Sequence, residues 1–373
     1  MMAESRGSSA AAWISALTSG LLVTALLFGT ARWVGAPAPS KPLAENTGEK
    51  ICRSLHERIS GTMEGLASAK RIYWIDRNDL AAPAPDPAHY GRSETAQALG
   101  FLSREARTLL DGEKLFFKPN ITLLPGTQIR YYLDETILAI TWKQAIDGGV
   151  YTFSEVKIAH PSQFRRFLAG GEFGSDKLFV TTEMAQSVNA VVASSGDFYN
   201  YRQAGTLVYD GRVRRVHNGL VDTCYVDENG DLSFSSRMEE RDQEQSQQYV
   251  DEKKILFSLA FGPVLIRDGE VVTPNSYVVG EIHDHYPRSA LCQLGKLHYL
   301  LAVVNAEGDY QQTPTLRRFG ENLCQRGIKT AYTLDGGQTA VIAMDGKLIN
   351  SVLFGYQRKI SDIIYFATAI PGK

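Results

Sequence analysis

The sequence is short of net charge, of cysteine and of proline. Lysine and arginine number 39 against 41 aspartate and glutamate, a formal net charge of −2 over 373 residues. That balance argues against a dedicated nucleic-acid binder, which carries a basic excess. Four cysteines are too few for a disulfide-built scaffold. Hydrophobic residues make up 44% and charged residues 21%, which rules out a wholly disordered or collagen-like chain. No internal repeat of fixed period occurs. Glycine, by contrast, is frequent: 33 residues against 14 prolines, a first sign of a turn-rich architecture with tight backbone sites. The length allows one large domain or two ordinary ones.

Charge is wholly missing from one segment. Between Arg6 and Arg32 lie 25 uncharged residues. A membrane-spanning helix needs about 20 apolar residues, whereas the apolar core of a cleavable signal peptide has about 7–15. The segment is therefore read as an uncleaved signal anchor, with Trp13 and Trp33 near its two ends, where indoles favour the membrane interface. Cleavage after Ala38 is the weaker alternative, because Pro39 would follow the cut. Arg6 on one side and Arg32 with Lys41 on the other leave the orientation open.

Residues 35–48 read as a flexible linker. A helix is predicted over 49–75, with Ile51, Leu55, Ile59, Met63 and Leu66 on one face. That stripe is read as packing on its own domain; packing on a second copy beside the membrane is the alternative and a route to a homo-oligomer. A second helix is predicted over 93–110. Beyond residue 121 the pattern changes to strands: 137–142, 150–159 and 190–194 are β-branched or aromatic-rich. Asp210-Gly211, Asn229-Gly230, Asp268-Gly269 and Asp345-Gly346 signal hairpins. Short helices are predicted at 161–168, 183–188 and 316–326, and the charged, Gln-rich stretch 237–254 as an exposed helix or loop. The expected organisation is a cytosolic tail and transmembrane anchor over 1–34, a linker and helical stalk over 35–115, and an α+β domain over 116–373, built on a mixed β-sheet with flanking helices.

Three stretches place polar groups beside glycine at strand ends. In the first, a strand runs into Ser195-Gly196-Asp197, with Asp197 and Tyr199 on one side at period two. In the second, Arg288 opens a strand, where its guanidinium can fork onto a phosphate or carboxylate. In the third, strand 330–334 meets a tight turn, Asp335-Gly336-Gly337, before a return strand over 340–344. The two glycines there would expose N–H groups to an anion, and an ordinary Asp-Gly hairpin leaves the second glycine and the Gln338-Thr339 pair unexplained.

Taken in order, these elements resemble the phosphodiester glycosidase family, the domain of the lysosomal uncovering enzyme and of many bacterial envelope proteins. The series is Ser195-Gly196-Asp197-Phe198-Tyr199, Gly205 with Asp210-Gly211, Gly262-Pro263-Val264-Leu265 with Asp268-Gly269, Arg288-Ser289-Ala290, Leu334-Asp335-Gly336-Gly337-Gln338-Thr339, and Arg358-Lys359-Ile360. Ser195 stands where the family has Asn, and Gln338-Thr339 where it has Gly-Ser.

The resemblance implies hydrolysis of a sugar-1-phosphodiester. The leaving group is a phosphate, which needs less protonation than an alcohol, so the paired carboxylates of ordinary glycosidases are less necessary. A cation on the phosphate and a carboxylate at the anomeric carbon suffice. Arg288 is assigned the first role and Asp335 the second, as nucleophile or as base for water, with Asp197 as second carboxylate. Ser195, Gly196, Tyr199, Gly336, Gly337, Gln338, Thr339, Arg358 and His285 are the expected substrate-binding residues. The Gly336 and Gly337 amides are expected to hold the phosphate or an N-acetyl oxygen.

His283 and His285 with Asp284 lack a third partner at metal-site spacing and are read as a solvated loop; no cofactor is called for, and a divalent metal is left open. Cys292 and Cys324 either pair or remain buried thiols; with Cys52 and Cys224 three two-bond connectivities exist. The expected protein is a single-pass cell-membrane hydrolase with its C-terminal domain extracytoplasmic, acting on a phosphoglycan or polysaccharide of the envelope or exopolysaccharide. The competing class is a non-catalytic glycan-binding or polysaccharide-assembly protein; a third is a phosphodiesterase that breaks P–O.

Overall fold

The runs at 137–142 and 150–159 read as nearly unbroken apolar stretches because they lie in a sheet covered on both faces. The computed structural model describes residues 122–123, 130–133, 137–158, 161–278, 281–305 and 312–368. Strand accounts for 41% of the described region and helix for 17%, so the domain is sheet-rich with few helices. In chain order the strands are β1 (Thr122–Leu123), β2 (Arg130–Leu133), β3 (Ile137–Ile146), β4 (Gly149–Ile158), β5 (Phe164–Leu168), β6 (Val192–Ser195), β7 (Leu207–Tyr209), β8 (Arg212–Arg215), β9 (Thr223–Asp227) and β10 (Leu232–Ser235). They continue as β11 (Ile255–Leu259), β12 (Val264–Arg267), β13 (Glu270–Val271), β14 (Arg288–Gly295), β15 (His298–Asn305), β16 (Thr330–Leu334), β17 (Ile342–Met344), β18 (Lys347–Leu348) and β19 (Asp362–Phe366). The helices are α1 (Thr181–Ser187), α2 (Gln243–Lys253) and α3 (Leu316–Gln325).

Three sheets result. The largest has nine strands in the order β1-β2-β3-β4-β15-β14-β16-β12-β13; the second is β10-β9-β11-β7-β8 and the third β18-β17-β6-β19-β5. Alternate residues of the large sheet enter two cores. Leu138, Ile140 and Trp142 of β3, with Leu300, Ala302 and Val304 of β15, pack with Leu316, Phe319 and Leu323 of α3. On the opposite face Ile137, Ala139, Leu301 and Val303 meet Phe257 and Leu259 of β11, Val192 of β6, Ile342 of β17 and Phe366 of β19. The four predicted hairpins form: β7–β8, β9–β10, β12–β13 and β17–β18 are antiparallel pairs around the expected turns.

Two expectations are corrected. The predicted helix at 161–168 is a 3-10 turn over Pro161–Gln163 followed by strand β5. Phe164 and Leu168 are buried on one face of β5 together with Arg166, which needs acidic partners that only the sheet supplies. Residues 330–344 are no hairpin: β16 lies in the nine-stranded sheet and β17 in the third, so the chain crosses between sheets through a 3-10 turn at Gly337–Thr339. Of the two states left open for Cys292 and Cys324, the structure has free thiols, Cys292 buried in β14 and Cys324 on α3 directed at the Gly269 carbonyl at 3.2 Å. The predicted membrane segment, linker and stalk helices lie outside the described residues. Among those residues, no helix is long and apolar enough to cross a membrane.

Arg166 ties the third sheet to the second. Its guanidinium pairs with Asp197, just after β6, and with Asp362 of β19 at 3.0 Å, and it donates to the Ser258 carbonyl of β11. Asp362 also accepts the Phe198 amide at 2.8 Å and the Asp197 amide at 3.2 Å, while Asp197 accepts the Ala260 amide at 2.6 Å. All three side chains are buried. One positive charge serves two carboxyls, and burial pushes Asp362 up to about 7 despite Arg166. An unfolded aspartate titrates near 3.9, so the folded state holds the extra proton between these values. The contribution of Asp362 to stability is then fully present below about pH 4 and lost as pH rises to about 7. Urea unfolding across this range is expected to show falling stability, with the slope flattened in Asp362→Asn. Arg166→Met, which strands two buried carboxyls, is expected to cost about 3–5 kcal/mol in the same measurement.

Candidate functional site

The antiparallel register of β14 and β16 pairs Ser289 with Leu334. One residue further on, Arg288 at the start of β14 and Asp335 after the end of β16 emerge at the same edge of the sheet. Both line a cleft of about 770 Å³, its mouth included, with Phe198, Tyr201, Arg202, Phe261, Glu281, Tyr286, Gly336 and Arg358 among the other walls. Three arginines face two carboxylates there, so the cleft carries a net positive charge.

Those arginines are not equivalent. Arg358 is paired with Asp335, Nη2 to Oδ2 at 2.6 Å, and its guanidinium lies 5.1 Å from the Phe198 ring centroid. The other Asp335 oxygen accepts the Gly336 amide at 3.1 Å. Burial raises the Asp335 carboxyl, and the Arg358 charge opposes the rise. Arg288 has no carboxylate partner among the described residues; its Nη2 donates to the Glu281 and Asp284 carbonyls, the latter at 2.8 Å, and its Nε is buried with no hydrogen-bond partner. Burial pushes the Arg288 guanidinium down to about 10, so it stays charged at neutral pH. Arg202 lies over Phe261 at 4.3 Å and has a buried Nη1 with no partner. Two cations with orphaned donors are suited to a ligand that brings negative oxygens, since an unmade hydrogen bond in a buried place is costly.

The glycines serve backbone approach. A Cβ on Gly336 would lie 2.6 Å from the Pro287 carbonyl oxygen, and one on Gly337, whose φ is +65°, would lie 2.8 Å from the Tyr286 ring. The Gly337 amide donates to the Pro287 carbonyl at 2.9 Å. Both amides expected to hold an anion are therefore spent, Gly336 on Asp335 and Gly337 on Pro287, and the arginines are the anion donors that remain. A Cβ on Gly196 would fall inside the Asp362 carboxylate; this glycine admits Asp362 rather than a ligand.

The other expected site residues support the cleft from behind. Asp197 and Tyr199 do share a side, but it is the interior: Arg166 pairs with Asp197 and lies 5.6 Å from the Tyr199 ring centroid. The chain turns at Phe198 (φ +52°), which sends that ring into the cleft instead. Ser195 is buried, and its hydroxyl donates to the Asp335 carbonyl at 3.1 Å. The Thr339 hydroxyl donates to the Gly336 carbonyl at 2.7 Å, and the Gln338 carbonyl accepts the Arg358 amide at 3.3 Å. His285 is exposed and bonds the Thr313 carbonyl. Among the described residues no group of three or more His, Cys, Asp or Glu side chains is placed to hold a metal.

Arg202, Glu281, Tyr286 and Phe261 were not singled out in the sequence. Arg202 follows Phe198 by four residues, at helical-turn spacing, and its amide donates to the Phe198 carbonyl at 3.3 Å. Glu281 sits in a loop with no motif of its own.

Residues 188–367, just under half of the chain, match the family model described as phosphodiester glycosidase. A curated relative is the SPbeta prophage-derived uncharacterized protein YomE of Bacillus subtilis (strain 168), 23% identical over 199 residues, which are 52% of this chain and 30% of that protein's length. Among solved structures, the zebrafish N-acetylglucosamine-1-phosphodiester alpha-N-acetylglucosaminidase catalytic domain, auto-inhibited by its pro-peptide, aligns with a TM-score of 0.49 and 16% identity, over 62% of this chain and 84% of that one. A hypothetical protein from Synechocystis aligns with a TM-score of 0.45 and 14% identity, over 64% and 63% of the two chains.

Gly337→Ala tests the close approach. Displacing Tyr286 and imposing a left-handed conformation on alanine is expected to cost about 1–3 kcal/mol in urea unfolding.

Proposed function

We propose that the cleft hydrolyses a sugar-1-phosphodiester at the glycosyl C–O bond, in an envelope or exopolysaccharide glycan. The observation that carries this reading is the division of the cleft into an arginine-held carboxylate, Asp335, and two arginines with unspent donors, Arg288 and Arg202, within a phosphodiester glycosidase segment.

The phosphodiester carries one negative charge, which matches the net charge of the cleft. Arg288 and Arg202 bind its free oxygens and stabilise the charge that grows as the C–O bond breaks. Asp335, fixed by Arg358 and the Gly336 amide, faces the anomeric carbon and stabilises the positive charge developing there. Phe198 and Tyr201, stacked with centroids 5.3 Å apart, offer an apolar face to a sugar ring. Asp197 contributes through Arg166 and the Phe198 turn rather than by touching substrate. The uncharged N-terminal run supports a single-pass anchor with the C-terminal domain outside the membrane, and the apolar stripe predicted over 49–75 supports spacing or self-association.

The full-length chain is expected to turn over a member of a panel of sugar-1-phosphodiesters. Arg288→Ala should lower kcat/KM by about 100-fold to 1,000-fold, the scale of losing one preorganised donor, and Asp335→Asn should abolish measurable turnover. Saturable binding that depends on Arg288, without turnover of any panel member, would instead assign the non-catalytic glycan-binding role.

A further inference from the structure

Resting on that reading, we infer that Glu281 is a further catalytic residue, the base that takes the proton of the attacking water. The two carboxylates that line the cleft differ in what binds them. Asp335 has one oxygen on Arg358 at 2.6 Å and the other on the Gly336 amide, so it is held in place and its charge is balanced. Glu281 lines the same cleft, and its carboxylate makes no hydrogen bond or ion pair among the described residues. Among the described residues it is an unpartnered proton acceptor beside a cleft suited to an anion.

Its backbone is unusual. Glu281 has φ +64°, a left-handed conformation that a glutamate adopts at a cost. The Arg288 guanidinium, which donates to the Glu281 carbonyl, holds it there, and the Asp284 amide donates to the same carbonyl at 3.1 Å. The arginine assigned to the phosphate thus also sets the position of the free carboxylate. The charge of Glu281 is felt by both Arg288 and Arg202, the two arginines that line the same cleft.

The chemistry balances without a further reactant. The water oxygen bonds the anomeric carbon, and the bond from that carbon to the phosphate oxygen breaks with its electron pair going to the phosphate. One water proton passes to the Glu281 carboxylate and from there to the released phosphomonoester or to solvent. The other stays on the sugar hydroxyl.

Glu281→Gln removes the proton acceptor and keeps the carbonyl that anchors Arg288. In the full-length chain it is expected to lower kcat by about 100-fold or more, the usual contribution of a general base, with KM and the urea midpoint unchanged. Glu281→Ala should be slow in the same way and regain rate on addition of formate, which a purely structural role would not show. Glu281→Gln at the unmodified rate, or loss of rate in Glu281→Ala that formate leaves untouched, overturns the inference while leaving the phosphodiester glycosidase reading standing. Absence of turnover by the unmodified chain overturns both.

Discussion

One buried arginine holds the molecule's working parts in register. Arg166 joins β5 to Asp362 of β19, to Asp197 beyond β6 and to the Ser258 carbonyl of β11. Removing a charge from water is expensive, and a buried ion pair is tolerated only when its hydrogen bonds are filled. Here both carboxyls are filled by backbone amides as well as by the guanidinium. The consequence reaches the surface, because one of those amides belongs to Phe198, whose ring enters the cleft and lies beside Arg358. Gly196 is required at this point because the Asp362 carboxylate occupies the space of its side chain.

The cleft itself follows from sheet geometry. Antiparallel pairing of β14 with β16 brings Arg288 and Asp335 to one edge, and the crossing from β16 to β17 turns the chain tightly enough to need two glycines. Because Gly336 and Gly337 are committed to Asp335, Pro287 and Tyr286, anion binding falls to side chains. This makes the site depend on arginine more than on a glycine-rich turn. It also explains how a chain with a net charge of −2 can present a locally positive cleft.

Much of the fold could be read from local chemistry. Asp-Gly and Asn-Gly pairs marked four real hairpins, and the apolar runs at 137–142 and 150–159 marked central strands, because turn and burial preferences are set by nearby residues. Local pattern alone predicts helix over Phe164–Leu168, because its strand state depends on Asp197 and Asp362, far away in sequence. The same distance explains the site. Arg288, Asp335, Gly336 and Arg358 were recognisable from motifs and do line the cleft. Arg202 and Glu281 carry no motif and reach it only through the turn at Phe198 and the loop before β14. Asp197 and Tyr199 share a side as period two predicts, but that side faces the interior, where Arg166 of β5, distant in sequence, takes Asp197.

Bond cleavage in oxygen-18 water tests the central claim most directly. The full-length chain is incubated with a sugar-1-phosphodiester that it turns over, and both products are weighed by mass spectrometry. Cleavage at the anomeric carbon predicts one heavy oxygen in the released sugar and none in the phosphomonoester. Heavy oxygen in the phosphomonoester would mean attack at phosphorus and would contradict the account.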